Sequence, residues 1–196
     1  MGNVYSEEEF ERIMKVANEK KITVLIDEAY HYFYPGTFID YALNHEHVFV
    51  TRTFSKRFSM AGCRLGYVAG WPEGVKMVQK LCTPHNTNAF AMKFAEEVIK
   101  HPEVLQSLIE NFNRGRAYLI EQLDENGYAH KGEAGNFIFI KTQTDAEKIV
   151  KRMKSEKKIL IKSYPNVGDF GTCLRVSIGE KGYMEMFMQA LLEFDK

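Results

Sequence analysis

Cysteine is scarce in this chain of 196 residues: there are three, Cys63, Cys82 and Cys173, widely spaced, with no Cys-x-x-Cys pair and no Cys/His cluster. Neither a disulfide framework nor a zinc site is indicated, and the three are expected to be reduced, packed thiols. Net charge is also missing, because 26 Lys and Arg balance 26 Asp and Glu. Without a net field the chain has nothing to draw in a phosphate backbone or an anionic lipid surface, so neither nucleic acid nor membrane is expected as a partner. No apolar run approaches the roughly 20 residues of a spanning helix, and Met1 to Lys21 is too rich in charge for a signal peptide. A cytoplasmic protein is expected. Internal repeats, low-complexity stretches and Ser/Gly linkers are absent as well.

What the chain does have is 45% apolar and 27% charged residues, the profile of a folded protein with a real core. Its length suits one large domain or two small ones. Ser6 and Glu9 form a capping box that opens a helix over 7–20, with Phe10, Ile13, Met14 and Ala17 on its apolar face. The run Ile22 to Ile26 then predicts a strand buried on both faces, as in a parallel sheet, ending at Asp27. A short helical stretch near 38–44 leads to a second run, Val48 to Thr51, which makes a βαβ crossover. A third run spans Leu65 to Ala69, and helices are expected near 73–82 and 88–100. After His101-Pro102 comes the longest amphipathic pattern, Leu105 to Leu123, with Gly127 as its C-cap. Strands near 136–141, 158–162 and 173–178 then alternate with helices near 145–155 and 182–194. The expected organisation is a partial parallel-sheet domain over 1–100 and a smaller α/β or α+β domain over 101–196.

Ligands of open parallel sheets bind beyond the carboxyl ends of the strands, where Asp27 and, a little further on, Lys56 fall. An Asp that follows a strand is commonly a turn or helix cap. Here it opens Asp27-Glu28-Ala29-Tyr30, followed by Tyr32, Phe33 and Tyr34, and large aromatics in a loop need a core or a planar ligand to cover them. The second segment, Thr53-Phe54-Ser55-Lys56, has two hydroxyls ahead of a lysine, with Arg64 eight positions after it. Hydroxyls and a guanidinium suit a phosphate dianion, and a partly dry pocket favours the nucleophilic amine of a lysine. An aldehyde-bearing phosphate cofactor satisfies both groups. Lys56-Arg57 also fits a merely solvated basic loop.

Asp27-Glu28-Ala29-Tyr30, Thr53-Phe54-Ser55-Lys56 and Ala61-Gly62-x-Arg64-x-Gly66 together resemble the fold type I pyridoxal-phosphate aminotransferases, most closely the histidinol-phosphate aminotransferase branch. Gly135-Asn136-Phe137 and Cys173 to Gly179 are similar to that family's small-domain strands. The resemblance implies an α/β fold of that type, with pyridoxal 5'-phosphate as cofactor. Lys56 would hold the cofactor and shuttle the proton of the substrate α-carbon. Asp27 would pair with the pyridinium nitrogen, Tyr30 would donate to the ring oxygen, and Thr53, Ser55 and Arg64 would bind the phosphate. Arg175 would clamp a substrate carboxylate or phosphate, although an Arg at a strand end can also be a surface residue. Asn136-Phe137 reads as packing near the site.

The activity implied is transfer of an amino group between an amino-acid or amino-phosphate donor and a 2-keto acid, in a chain that pairs with a second copy. A phosphothreonine-type decarboxylase uses the same cofactor residues and is the alternative within the family. The resemblance also implies upstream parts that this sequence does not show: a cofactor-stacking aromatic, a small-residue phosphate loop and an Asn-Pro-x-x-Pro-Thr-Gly segment, whose final glycine Met1-Gly2-Asn3 would join. The expectation is therefore a C-terminal portion with an exposed strand edge, and a non-catalytic binding module is the reading from outside the enzymes.

Overall fold

The computed structural model describes residues 4–34, 36–132 and 134–196, so the expected junction at Met1-Gly2-Asn3 lies outside the described residues. The chain divides into two compact units, residues 4–105 and 106–196.

In the first unit, α1 (Glu7–Lys20) starts on the capping box, with Glu9 N–H donating to Ser6 Oγ at 3.2 Å and Ser6 N–H to Glu9 Oε2 at 2.9 Å. β1 (Val24–Asp27), α2 (Ile39–Leu43) and β2 (Val48–Thr53) form the βαβ crossover, with Val24 opposite Val48 and Asp27 opposite Thr51 in a parallel pair. β3 (Gly66–Gly70) adds on the far side of β2 and runs antiparallel, so the sheet is mixed. Phe10, Met14 and Ala17 of α1 and Ala42 of α2 pack on Val24, Ile26, Val48 and Val50.

Two expectations change here. β1 is buried on one face only, because both of those helices lie on the same side and Leu25, pointing the other way, is 64% exposed. Ile13 likewise falls outside the stripe that α1 buries. On the open face α3 (Pro72–Gln79) comes close at Phe49, whose ring would stand 2.9 Å from a Cβ on Gly74. α4 (Ala89–Lys100) is capped by Asn88 and places Ala95 against Phe58 and Met60, a second core that also takes in Tyr32, Phe54 and Leu65.

α5 (Pro102–Glu125) begins in the first unit and continues as the opening helix of the second. It ends as expected at Gly127, which adopts φ +72°, with Tyr128 N–H donating to Leu123 O at 2.9 Å. The four-stranded sheet of this unit runs β4 (His130–Lys131), β5 (Phe137–Ile140), β7 (Cys173–Ser177), β6 (Lys162–Tyr164), antiparallel throughout. α6 (Ala146–Arg152), extended by a π-helical turn over 153–157, and α7 (Lys181–Phe194) pack with α5 on one core that includes Leu119, Ile138, Ile149, Leu174 and Phe187. The strand expected over 158–162 starts only at Lys162, because Lys158 turns left-handed at φ +59° to close the helix and Ile159 N–H bonds back to Met153 O. The two-residue β4 had no periodicity to announce it.

Of the thiols, Cys173 is buried and Cys63 half-buried, but Cys82 is exposed rather than packed, since the segment after α3 lies open. No helix among the described residues is long and apolar enough to cross a membrane, and they hold no cluster of three or more metal-ligating side chains.

Candidate functional site

The parallel pairing of β1 and β2 brings both carboxyl ends to one rim of the first unit. Asp27 is the last residue of β1 and Thr53 the last of β2, and their register places both on the sheet face that bears Leu25. β3 returns antiparallel, so its first residue, Gly66, pairs with Thr53, and Arg64 lies two residues before it at the same rim. Glycine is required at 66 because a Cβ there would stand 2.8 Å from Arg52 O.

Between β2 and β3 the loop 54–65 closes on itself. Phe54 N–H donates to Leu65 O at 3.0 Å, Met60 N–H to Phe54 O at 3.1 Å and Ser59 N–H to Lys56 O at 3.1 Å. Ser59 and Arg64 take left-handed φ values of +55° and +50°, a conformation that non-glycine residues adopt at a cost and that recurs at functional sites. Phe58 and Met60 anchor the loop from below, with Phe58 4.7 Å from the Phe54 ring and edge-on to Tyr32 at 5.1 Å. Lys56 lies in this loop two residues before Phe58, and its Nζ stands 5.3 Å from the centroid of the Tyr30 ring.

The remaining side chains at the rim take up local contacts. Asp27 Oδ1 accepts from Ala29 N–H at 3.0 Å, an Asx turn that makes the capping role real, while its other oxygen has no hydrogen bond among the described residues. Thr53 Oγ1 donates to Leu65 O at 3.3 Å and accepts from Ser55 N–H at 3.0 Å. Arg64 is exposed and turns back to donate from Nη1 to Ala61 O at 3.2 Å. The first unit therefore brings together six of the seven residues singled out from sequence: Asp27, Tyr30, Thr53, Ser55, Lys56 and Arg64. The seventh, Arg175, belongs to the second unit. It is half-buried on β7, opposite Phe139 and Lys162, with its guanidinium 4.0 Å from the Phe137 ring centroid.

Sequence reasoning passed over a buried network beside this rim. Glu28 accepts from Arg52 Nε at 3.0 Å and Nη2 at 2.9 Å, from Phe38 N–H at 2.6 Å and from the Thr37 hydroxyl at 3.0 Å. Arg52 Nη2 also donates to Thr37 Oγ1 at 2.6 Å. Burial works against the Arg52 charge, but its bonds to Tyr67 and Glu28 outweigh that and raise its pKa above the usual arginine value. A signal was present: Val48, Val50 and Arg52 share one face of β2, and a guanidinium on a core-facing row needs an acid opposite it. Arg57 was also underrated. It is no solvated cation, for its guanidinium lies 5.8 Å from both the Tyr32 and Phe33 rings, donates to Tyr32 O and has a buried Nε without a hydrogen-bond partner. Burial lowers its pKa.

The chemistry of this donor set fits pyridoxal phosphate: one amine, one carboxylate with an open oxygen, one phenol, two hydroxyls and one guanidinium at a single rim. The profile of the aminotransferase class I and II family matches residues 1–191. The histidinol-phosphate aminotransferase of Thermotoga neapolitana is 29% identical over 194 residues, which is 98% of this chain and 55% of that protein. Among solved structures, the histidinol-phosphate aminotransferase of Sinorhizobium meliloti, crystallised with pyridoxal-5'-phosphate, superposes with a TM-score of 0.85 at 24% identity, covering 99% of this chain and 54% of the other. The enzyme of that name from Clostridium acetobutylicum gives 0.85 and 24%, over 99% and 60%. The fold is that of the fold type I pyridoxal-phosphate proteins. Within that class, the chain belongs to the aminotransferase class I and II family. It spans about half the length of the curated relatives it matches.

Proposed function

We propose that this chain carries the lysine half of a pyridoxal-phosphate site and serves an aminotransferase of the histidinol-phosphate type. The observation that carries the reading is the convergence of Asp27, Thr53, Lys56 and Arg64 on one rim by the register of β1, β2 and β3. Residues 1–100 would make up the cofactor-binding part and 101–196 the small domain. When bound, pyridoxal phosphate supplies an electrophilic aldehyde and an electron-accepting ring.

The chain's own residues do the rest. Thr53, Ser55 and Arg64 bind the phosphate, the guanidinium by charge-assisted bonds and the hydroxyls by short ones. Asp27 holds the proton at the pyridine nitrogen, where a carboxylate favours the charged ring. Tyr30 donates its hydroxyl to the ring oxygen. Lys56 would hold the cofactor through its amine and, when free, would take and return the α-proton of the substrate. Arg175 clamps the carboxylate or phosphate of the substrate. In this reading the protein works on an amino donor and a 2-keto acid in the cytoplasm, as a homodimer or another self-associated form. Large apolar side chains left open on α4, Phe90 and Phe94 among them, support self-association.

The test is to incubate the chain with pyridoxal phosphate, reduce with borohydride and map the modified lysine by mass. Label on Lys56, abolished in Lys56→Ala, is expected; label mainly on other lysines would sink the assignment. Glutamate and histidinol phosphate then separate the activities. Amino-group transfer supports the transaminase, carbon dioxide release from a phosphorylated amino acid the decarboxylase, and neither, with Lys56 labelled, a binding module.

A further inference from the structure

We propose that the buried Glu28–Arg52 pair is a positioning device that sets the Tyr30 ring against Lys56. The proposal deepens the reading of that rim as a cofactor site and rests on it. One carboxylate fixes both ends of the loop that carries Tyr30. Glu28 itself begins the loop, and its side chain accepts from the Thr37 hydroxyl at 3.0 Å and the Phe38 N–H at 2.6 Å at the other end. The third partner is Arg52, which donates from Nε and Nη2 at 3.0 and 2.9 Å, and Arg52 stands on the strand that leads into Lys56.

The loop bearing the phenol and the strand bearing the amine are therefore tied by one ion pair, in which two Arg52 nitrogens donate to Glu28 Oε2, and the Thr37 hydroxyl bridges its two halves. Arg57, next to Lys56, adds a second tie by donating to Tyr32 O. Glu28 does not touch Lys56, because Arg52 shares the core-facing row of β2 with Val48 and Val50 while Asp27 and Thr53 lie on the other face. Its influence on the amine passes through Tyr30, whose ring lies 5.3 Å from Nζ, within cation–π range.

The readout is the rate at which N-acetoxysuccinimide acetylates Lys56 in the full chain without cofactor, followed by peptide mass across a pH series. Tyr30→Ala removes the ring that stands 5.3 Å from Nζ and should speed Lys56 acetylation about two- to five-fold. Glu28→Gln, which keeps the side-chain shape but turns one accepting oxygen into a donor and loses the charge that holds Arg52, should do the same. The double variant Glu28→Gln/Tyr30→Ala should be no faster than Tyr30→Ala alone, and the displacement of the rate–pH curve by Glu28→Gln should vanish in the Tyr30→Ala background.

A merely structural Glu28 would loosen the rim in either background. Additive effects would therefore overturn the proposal, as would a Glu28→Gln or a Tyr30→Ala protein that acetylates at the parent rate. If amide exchange shows that Glu28→Gln has lost the β1–β2 ladder, Thr37→Val at an exposed position replaces it in the same cycle, with the same expected and overturning results. Borohydride trapping of pyridoxal phosphate on the parent chain separates the two levels. Failure to label Lys56 there removes the cofactor reading and leaves the acetylation result standing.

Discussion

Arg52 on β2 and Glu28 just past β1 meet through two bonds of 2.9 and 3.0 Å, with both side chains about nine-tenths buried. Removing one partner from such a pair leaves an uncompensated charge in the interior. Arg52→Ala is expected to destabilise the protein by about 3 kcal/mol in urea titration. The paired replacement Arg52→Met/Glu28→Met should cost clearly less, since it buries no orphan charge.

Arg64 lies at the rim, and in the cofactor reading its guanidinium leaves Ala61 O for the phosphate. Arg64→Ala should weaken retention of pyridoxal phosphate by roughly 1.5–3 kcal/mol, the worth of a charge-assisted bond. Fluorescence titration of the cofactor measures it, and unchanged affinity would remove Arg64 from the phosphate site.

Tyr128 is buried at the C-cap of α5 and bonded to Asp195, so burial first, and then the Asp195 carboxylate, push its hydroxyl up to about 12. Asp195 in turn accepts from Gln143 N–H at 2.9 Å and Thr144 N–H at 2.7 Å, latching the end of the chain to the 143–144 turn. Because the folded value lies above the unfolded one near 10, the stabilisation is complete below about pH 10 and is lost as pH rises toward 12. Thermal melts of the parent protein should fall over that window, and those of Tyr128→Phe should fall less.

Gly115 sits where α5 passes the backbone after β7, and a Cβ there would lie 1.9 Å from Gly179 O. No flexible side chain can yield at that point. Gly115→Ala should therefore destabilise by about 2–3 kcal/mol despite its better helix propensity, as read by denaturant midpoint.

Local chemistry made much of this protein legible. The Ser6/Glu9 capping box and the glycine stop of α5 depend on neighbours within a few residues, and both stand in the structure. The grouping of Asp27, Thr53 and Lys56 was also readable, because it needs only two strands to run parallel. The exposure of Leu25 and Ile13 was not. A continuous aliphatic run looks the same whether its second face is covered or open, and which face a helix stripe meets depends on the elements packed there.

The sequence by itself pointed to the family, most of the elements and six residues that fall on the rim, since residue type and short-range spacing encode these. Only the tertiary structure decided that β3 returns antiparallel to set Arg64 beside Thr53, that Arg57 lies under an aromatic turn, and that Glu28 binds Arg52. Those are choices of register and side-chain direction between strands, and Glu28 and Arg52 stand 24 positions apart. A pairing of that separation is settled by the burial of both charges together, which no local pattern records.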